Sequence, residues 1–309
     1  MLDWGMKMRF LTPQLVVLTL VITCLGFNLQ VSRAEDSTEE LRSKLTASYE
    51  AWRNSVMSKN AQAWERNTTR HRRMITRNLI VSQKQPYPEA IFRVSLQPPP
   101  LTGLRLLEAQ ANGPTAHLAY FGKLDLGDGT EGATDDVMIL KFFLEDGAWR
   151  FDSSRYMSLD STPDLREALQ TGVPPGFLER PELSPPGILP PTPPPCREPE
   201  YVGGYDIQCF GYEAGVKVNG TDYGKVANHD GKQIIIGGLS RGKNELELSI
   251  KPLDIPKDGE RYLQINVVVL TGNPQRPSIK VFTWETRADD PGAKLTFPVL
   301  VTNSTLQVR

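Results

Sequence analysis

The stretch VMILKFFLEDGAWRFDSSRY, residues 137–156, decides the architecture of the first half of the chain. Two runs rich in strand-favouring residues flank Glu145-Asp146-Gly147, which is a turn signal. In the second run Trp149 and Phe151 alternate onto one face, as the side chains of a half-buried strand do. The stretch therefore predicts a long β-hairpin.

Working outward from this hairpin, the preceding residues predict a second hairpin and, before it, helices. Leu104 to Ala111 and Thr115 to Leu124 flank the turn Asn112-Gly113-Pro114. Further upstream, Ser37-Thr38-Glu39-Glu40 is a capping box that starts a helix. A second helix begins near Asn60. The apolar stripe of the first helix has helical spacing and consists of Leu41, Leu45, Tyr49, Trp52 and Val56.

Helices followed by a meander of long strands predict an α+β domain over residues 36–158. The order of elements, the helical Trp52 and Trp64, and the closing strand Gly147 to Phe151 resemble the NTF2-like, or SnoaL-like, family. The resemblance implies a cone-like sheet wrapped around the helices and a homodimer through the open sheet face. Enzymes of this superfamily carry acid-base groups in the open end of the cone, and a cone filled with packed side chains is the alternative. The catalytic candidates that the resemblance implies here are Tyr120, Asp152 and His117.

Residues 159–199 predict a short helix and a proline-rich linker. Thr162-Pro163 starts the helix and Gly172 ends it. From Val173 to Pro199 the density of proline favours the extended polyproline form, which makes a semi-rigid spacer. Two domains joined by a proline-rich linker follow from this pattern.

Residues 200–309 show strand patterns separated by turn signals and no predicted helix, which is typical of an all-β sandwich. The runs VKVNGTDYG (216–224) and IIIGGLSRGKNELELSI (234–250) resemble the accessory β-sandwich domains of the galactose-binding-like type. That resemblance implies a role in carbohydrate or protein contact for this domain.

The first 34 residues predict an export signal. Lys7 and Arg9 precede the apolar run Leu15 to Phe27, and Ser32-Arg33-Ala34 places small residues at the positions that a signal peptidase reads. Cleavage after Ala34 predicts a secreted or periplasmic protein without an integral membrane span. An uncleaved anchor and lipidation of Cys24 are the alternatives.

The mature chain contains two cysteines, Cys196 and Cys209. An even pair in a chain bound for an oxidising compartment predicts a disulfide. The alternative is two unpaired thiols, one in the linker and one buried.

The strongest candidate for ligand binding is a set of arginines spaced four, three and four residues apart: Arg66, Arg70, Arg73 and Arg77. If residues 65–78 form one helix, these arginines line one face. Their guanidinium groups are suited to a small anionic ligand, such as a phosphate or a sulfated sugar. A solvated face paired with nearby carboxylates is the alternative.

Two further patterns imitate known sites. Gly237 to Asn244 matches a phosphate-binding P-loop except at its last position, but a strand pattern follows where that motif needs a helix, so a hairpin loop is predicted. An acidic, glycine-rich connection could bind calcium but lacks the EF-hand spacing; it contains Asp125, Asp128, Glu131, Asp135 and Asp136. The histidines lack metal-ligand spacing, so no metal and no cofactor are predicted.

The formal net charge of −1 gives no global reason to expect nucleic acid as a partner. No local motif of nucleophilic or zinc hydrolysis is present in the sequence. The sequence therefore predicts an exported, non-catalytic protein whose first domain binds a small ligand or partner and whose second contacts protein or carbohydrate. A structural part in an envelope assembly is a further possibility. The enzymatic alternative is an extracytoplasmic NTF2-like isomerase, dehydratase or hydrolase.

Overall fold

The structure is a computed structural model, and it describes single residues 176 and 180 together with residues 38–93, 97–124, 135–172, 183–254, 261–286 and 294–307. The predicted export signal and the acidic residues Asp125, Asp128 and Glu131 lie outside the described residues. The chain divides into two compact units. The first runs to Thr69 and resumes from Leu96 to Leu189, and the second comprises Arg70–Ser95 and Pro190–Arg309.

Three helices lie at or near the predicted starts, which are Ser37, Asn60 and Thr162-Pro163, and the others lie elsewhere. They are α1 (38–57), α2 (Ala61–Asn67), α3 (Arg70–Ser82), α4 (Pro163–Gln170) and α5 (Asn303–Gln307), with a 3-10 helix at Glu89–Arg93. The Asn60 side chain caps α2 by accepting a hydrogen bond from the Ala63 backbone N–H at 2.9 Å. Among the described helices, none is long and apolar enough to cross a membrane.

The first unit contains a four-stranded antiparallel meander. Its strands, in spatial order, are β1 (Arg105–Asn112), β2 (Thr115–Lys123), β3 (Asp135–Glu145) and β4 (Ala148–Met157). Both predicted hairpins are confirmed, since Asn112 lies opposite Thr115 and Glu145 lies opposite Ala148.

Both faces of this sheet are covered. On one face Leu45 and Tyr49 of α1 pack against β2 and β3, where Leu118 and Phe142 are fully buried. On the other face Leu169 of α4 packs in a separate apolar cluster, whose other buried members include Ala119, Ile139, Leu159 and Leu183. The central strands of this meander are therefore apolar on both sides, as in strands that are buried on both faces.

The second unit is built around β5 (Gly203–Val218), the longest strand described. β6 (Thr221–Ile234) pairs with one edge of β5, while the other edge pairs with β8 (Tyr262–Leu270) and then with β7 (Gly242–Pro252). The outermost strands are β9 (Ser278–Glu285), beside β8, and β10 (Lys294–Val301), beside β7.

One apolar core serves this six-stranded sheet. A bulge between Cys209 and Glu213 shifts which side chains of β5 face the core. The core-facing residues have odd numbers up to Cys209 and even numbers from Tyr212 onward, and both sets pack in the same cluster. At the ends of the sheet, the ring of Phe297 in β10 lies 5.4 Å from that of Phe282 and 5.6 Å from that of Trp284, both in β9. The sheet therefore curls until its outer strands touch.

The predicted fold class, an α+β NTF2-like cone followed by an all-β sandwich, is wrong. The described residues form a mostly β protein with ten strands in two antiparallel sheets. Helix α3, which a cone would use to fill its sheet, belongs to the second unit, and that unit has one curled sheet instead of two stacked ones. Local periodicity identified the elements but carried no information about their packing partners.

Helix α3 is held to the proline-rich segment of its own unit by a buried amide. Asn78 Nδ2 donates to the Pro194 carbonyl at 2.8 Å, and Asn78 Oδ1 accepts from the Cys196 N–H at 2.9 Å. One turn later, Ser82 Oγ accepts from the Gly237 N–H at 2.8 Å. The two bonds of Asn78 give the proline-rich segment, which is poor in backbone donors, a fixed place on the helix, and the bond of Ser82 holds the loop at Gly237.

The surroundings of Tyr223 in β6 predict that the protein loses stability at alkaline pH. Burial raises the pKa of Tyr223 to about 12, and its hydroxyl oxygen accepts from the Ile236 N–H at 2.6 Å. An unfolded tyrosine titrates near pH 10. Because the unfolded chain releases this proton first, the stability contribution is present below about pH 10 and is lost as the pH rises toward 12. When urea unfolding is measured across this pH range, the free energy of unfolding should fall less steeply with pH for Tyr223→Phe than for the wild type. Equal slopes for the two proteins would contradict the raised pKa of Tyr223.

Candidate functional site

Asp152, a predicted catalytic residue, is buried in the middle of β4, and both of its carboxylate oxygens accept hydrogen bonds. Thr69 Oγ1 donates to Oδ1 at 2.7 Å, and Ser153 Oγ donates to Oδ2 at 2.9 Å. Next to Asp152, the Phe151 carbonyl accepts from the Thr69 N–H at 3.0 Å. This carboxylate therefore anchors the chain where it leaves α2.

His117 is 1% exposed on the face of β2 that α4 covers. Its Nε2 lies 2.8 Å from Glu108 Oε2, and its Nδ1 lies 3.1 Å from the Leu183 carbonyl oxygen. Both ring nitrogens thus contact oxygens of the protein. The imidazole links β1 to the segment that follows α4.

Tyr120 lies on the opposite face of β2, in the cluster with α1. Its hydroxyl is 3.4 Å from Thr46 Oγ1, and its side chain is 6% exposed. Residues three apart on a strand point to opposite faces. The structure therefore does not bring Tyr120 and His117 into one site.

The arginine face is not continuous, because the helix ends at Asn67 and a new one begins at Arg70. Thr68 takes an extended conformation, with φ −107° and ψ 141°, and bridges to Phe151. Arg66 is consequently in the first unit, whereas Arg70, Arg73 and Arg77 are in the second.

The arginines of α3 differ in their surroundings. Arg77 Nη1 donates to Asn78 Oδ1 at 3.1 Å and to the Cys196 carbonyl at 3.2 Å, so this guanidinium helps to hold the proline-rich segment. Arg73 Nε is buried and has no hydrogen-bond partner among the described residues. The single helical face predicted for Arg66, Arg70, Arg73 and Arg77 is therefore divided between two helices.

The two cysteines are free thiols, so the predicted disulfide is absent from the structure. Cys196 Sγ contacts the Asn78 carbonyl at 3.5 Å and Ser82 Oγ at 3.6 Å. Cys209 Sγ, in the core of the second unit, donates to the Tyr212 carbonyl at 3.2 Å. Burial raises the pKa of the Cys209 thiol, which makes it a poor nucleophile.

The segment that imitates a P-loop is a closed turn that leads into a strand, because β7 begins at Gly242. The buried Asn244 side chain donates to the Ser240 carbonyl at 2.8 Å and accepts from the Ser240 N–H at 2.9 Å. The residue that departs from the motif therefore closes the loop. In the described part of the chain, no group of three or more His, Cys, Asp or Glu residues could hold a metal ion.

The second unit carries an open trough of about 470 Å³ on the outer face of β5, β6, β7 and β10. Register pairing places its residues in two rows across the strands. The first row is Lys225, Gly215, Ser249 and Lys294, and the second is Asp222, Lys217, Glu247 and Thr296. The floor of the first row consists of the two small residues, and a lysine stands at each end.

Gly215 keeps the middle of the trough low, because a Cβ at this position would collide with Ser249 Oγ. Lys225 Nζ lies 2.8 Å from Glu213 Oε1, and this hydrogen bond holds the pKa of the Glu213 carboxyl below its usual value. Lys217 and Lys294 form no ion pair with the residues that the structure describes. Two ammonium groups are therefore available to a ligand.

The trough combines ammonium donors, the Asp222 and Glu247 carboxylates as acceptors, and the Ser249 and Thr296 hydroxyls. Such a set can bind a polar ligand that carries both an anion and hydroxyl groups. The sequence alone did not predict this trough, because its residues come from four strands and can be arranged in rows only when the strand register is known. The alternation of Lys217 with core residues was the single local signal.

In comparisons with protein-family models, curated proteins and solved structures, none matches the chain. These comparisons neither confirm nor exclude the NTF2-like and galactose-binding-like family resemblances.

Proposed function

We propose that this protein is a non-catalytic binding protein that acts outside the cytoplasm and contacts an acidic carbohydrate through the trough of its second unit. The extracytoplasmic location rests on the N-terminal pattern of Lys7 and Arg9, the apolar run from Leu15 to Phe27, and Ser32-Arg33-Ala34.

The observation that carries the proposal is the Lys225-Gly215-Ser249-Lys294 row, where small residues separate two cations. A carboxylate or sulfate over this floor can reach the ammonium group of Lys294, which is unpaired among the described residues, while Lys225 at the other end is bonded to Glu213. Sugar hydroxyls need acceptors as well as donors, and Asp222 and Glu247 supply acceptors in the adjacent row.

The surroundings of the catalytic candidates favour binding over catalysis. Asp152 has both oxygens occupied, His117 has both ring nitrogens against protein oxygens, and Tyr120 is packed beneath α1. A general acid or base needs to reach the proton that it transfers. Each of these groups is instead engaged within the first unit.

The proposal predicts that replacing Lys294 by alanine weakens binding of a galacturonic-acid tetrasaccharide about tenfold, because a charge-assisted hydrogen bond is lost. Isothermal titration calorimetry of the wild type and of Lys294→Ala measures the two dissociation constants. A neutral glucose tetrasaccharide should bind the wild type more weakly than the acidic one.

Lys280→Ala is the matched control, because Lys280 is an exposed lysine of the same unit that lies on β9, outside the trough. It removes the same charge and should leave the dissociation constant unchanged. Equal weakening by the two substitutions would show that only the net charge matters, and the proposed site would then be wrong.

A further inference from the structure

A second feature of the same unit is the outer edge of β6. In the described part of the chain β6 pairs with β5 alone, and no backbone hydrogen bond to another element is made from its other edge. Its residues from Ala227 to Asp230 are all exposed. An unpaired strand edge is a template for a further strand.

The part of this edge that is suited to pairing is short. The pairing of β6 with β5 is interrupted between Cys209 and Glu213 of β5. It is regular from His229 to Ile234 of β6, which lie opposite Cys209 to Gly204 of β5. Within this run Asp230 and Lys232 are exposed and form no ion pair with described residues, and Gly231 lies between them.

The order of the charges is self-complementary. In an antiparallel pair only residues of the same face lie opposite each other. A twofold axis at Gly231 places Asp230 of one chain opposite Lys232 of the other, and the symmetry repeats this pair. Opposite charges that face each other across strands are stabilising.

We infer that this edge is a homodimer interface, in which β6 of one chain pairs antiparallel with β6 of a second copy about Gly231. The two sheets then continue through the interface as one. Glycine at the axis lets the two backbones approach without opposing side chains. Because only a short run pairs, the dimer is a weak one that forms at high protein concentration.

The inference is tested by charge reversal in the full chain, with self-association measured by sedimentation equilibrium. The wild type should dimerise reversibly. Asp230→Lys and Lys232→Asp should each raise the dimer dissociation constant at least about tenfold, because each turns two attractive pairs into two repulsive ones. Added salt should weaken the wild-type dimer.

The decisive arm is an equimolar mixture of Asp230→Lys chains with Lys232→Asp chains. In the mixture both cross-strand pairs are again of opposite charge, so the two variants should form a heterodimer of wild-type affinity. This recovery also shows that each variant is folded. The control Lys280→Asp should dimerise like the wild type.

A wild type that stays monomeric at millimolar concentration would overturn the inference, as would single reversals that dimerise normally. A mixture that fails to associate, while circular dichroism shows both variants folded, would overturn it too. Association driven by another surface would give one of these results.

Discussion

Phe151→Ala is expected to lower the free energy of unfolding of the first unit by about 3–5 kcal/mol, in the range for deletion of a buried phenylalanine ring. Phe151 is 3% exposed. Its ring centroid lies 3.9 Å from that of Trp52, 5.6 Å from that of Tyr49 and 6.0 Å from that of Phe142. Alanine would leave a cavity where β3, β4 and α1 meet.

Urea unfolding followed by tryptophan fluorescence measures this loss, since three of the four described tryptophans, Trp52, Trp64 and Trp149, lie in the first unit. The matched control is Leu144→Ala on β3, because Leu144 is 37% exposed and should cost less than about 1 kcal/mol. Equal losses for the two variants would show that the aromatic cluster is not the core of this unit.

Asn78→Leu is expected to cost the second unit about 2–4 kcal/mol, because it removes a buried amide without removing its partners. The Cys196 N–H loses its acceptor and the Pro194 carbonyl loses its donor. A backbone group left without a partner costs about 1–3 kcal/mol when it is buried. Leucine has the same branched arrangement of heavy atoms and leaves no cavity, so the loss reports mainly on the missing hydrogen bonds.

Hydrogen–deuterium exchange locates the effect. In Asn78→Leu the amides of α3 should exchange faster than in the wild type, because the helix is no longer held by the proline-rich segment. Gln83→Ala is the control, since the half-buried Gln83 follows α3 and its side-chain amide donates to the Leu79 carbonyl, not to the proline-rich segment. Unchanged protection of α3 in Asn78→Leu would contradict the role given to this side chain.

Local elements were predictable because their signals are local. The turns at Asn112-Gly113-Pro114 and Glu145-Asp146-Gly147 lie within the hairpins that the sequence predicts. Asn60 caps α2 as its residue type favours. Packing partners were not predictable in this way. The sequence pattern carries α2 straight into α3, whereas tertiary contacts pull Thr68 and Thr69 onto β4 and end the helix.

The candidate site shows the same limit. The spacing of Arg66, Arg70, Arg73 and Arg77 is helical, but two helices in two units share these residues. In contrast, Lys225 and Lys294 are 69 positions apart and become members of one row through three strand pairings. Only the register of the sheet reveals that relationship.

Mapping the ligand by two-dimensional ¹⁵N NMR tests the central claim, that the trough is the binding surface, most directly. On titration with the galacturonic-acid tetrasaccharide, the amide signals of Gly215, Ser249 and Thr296 should shift together and saturate. Lys294→Ala should require a higher ligand concentration for the same shifts. Shifts confined to the first unit, or no shifts at all, would contradict the account.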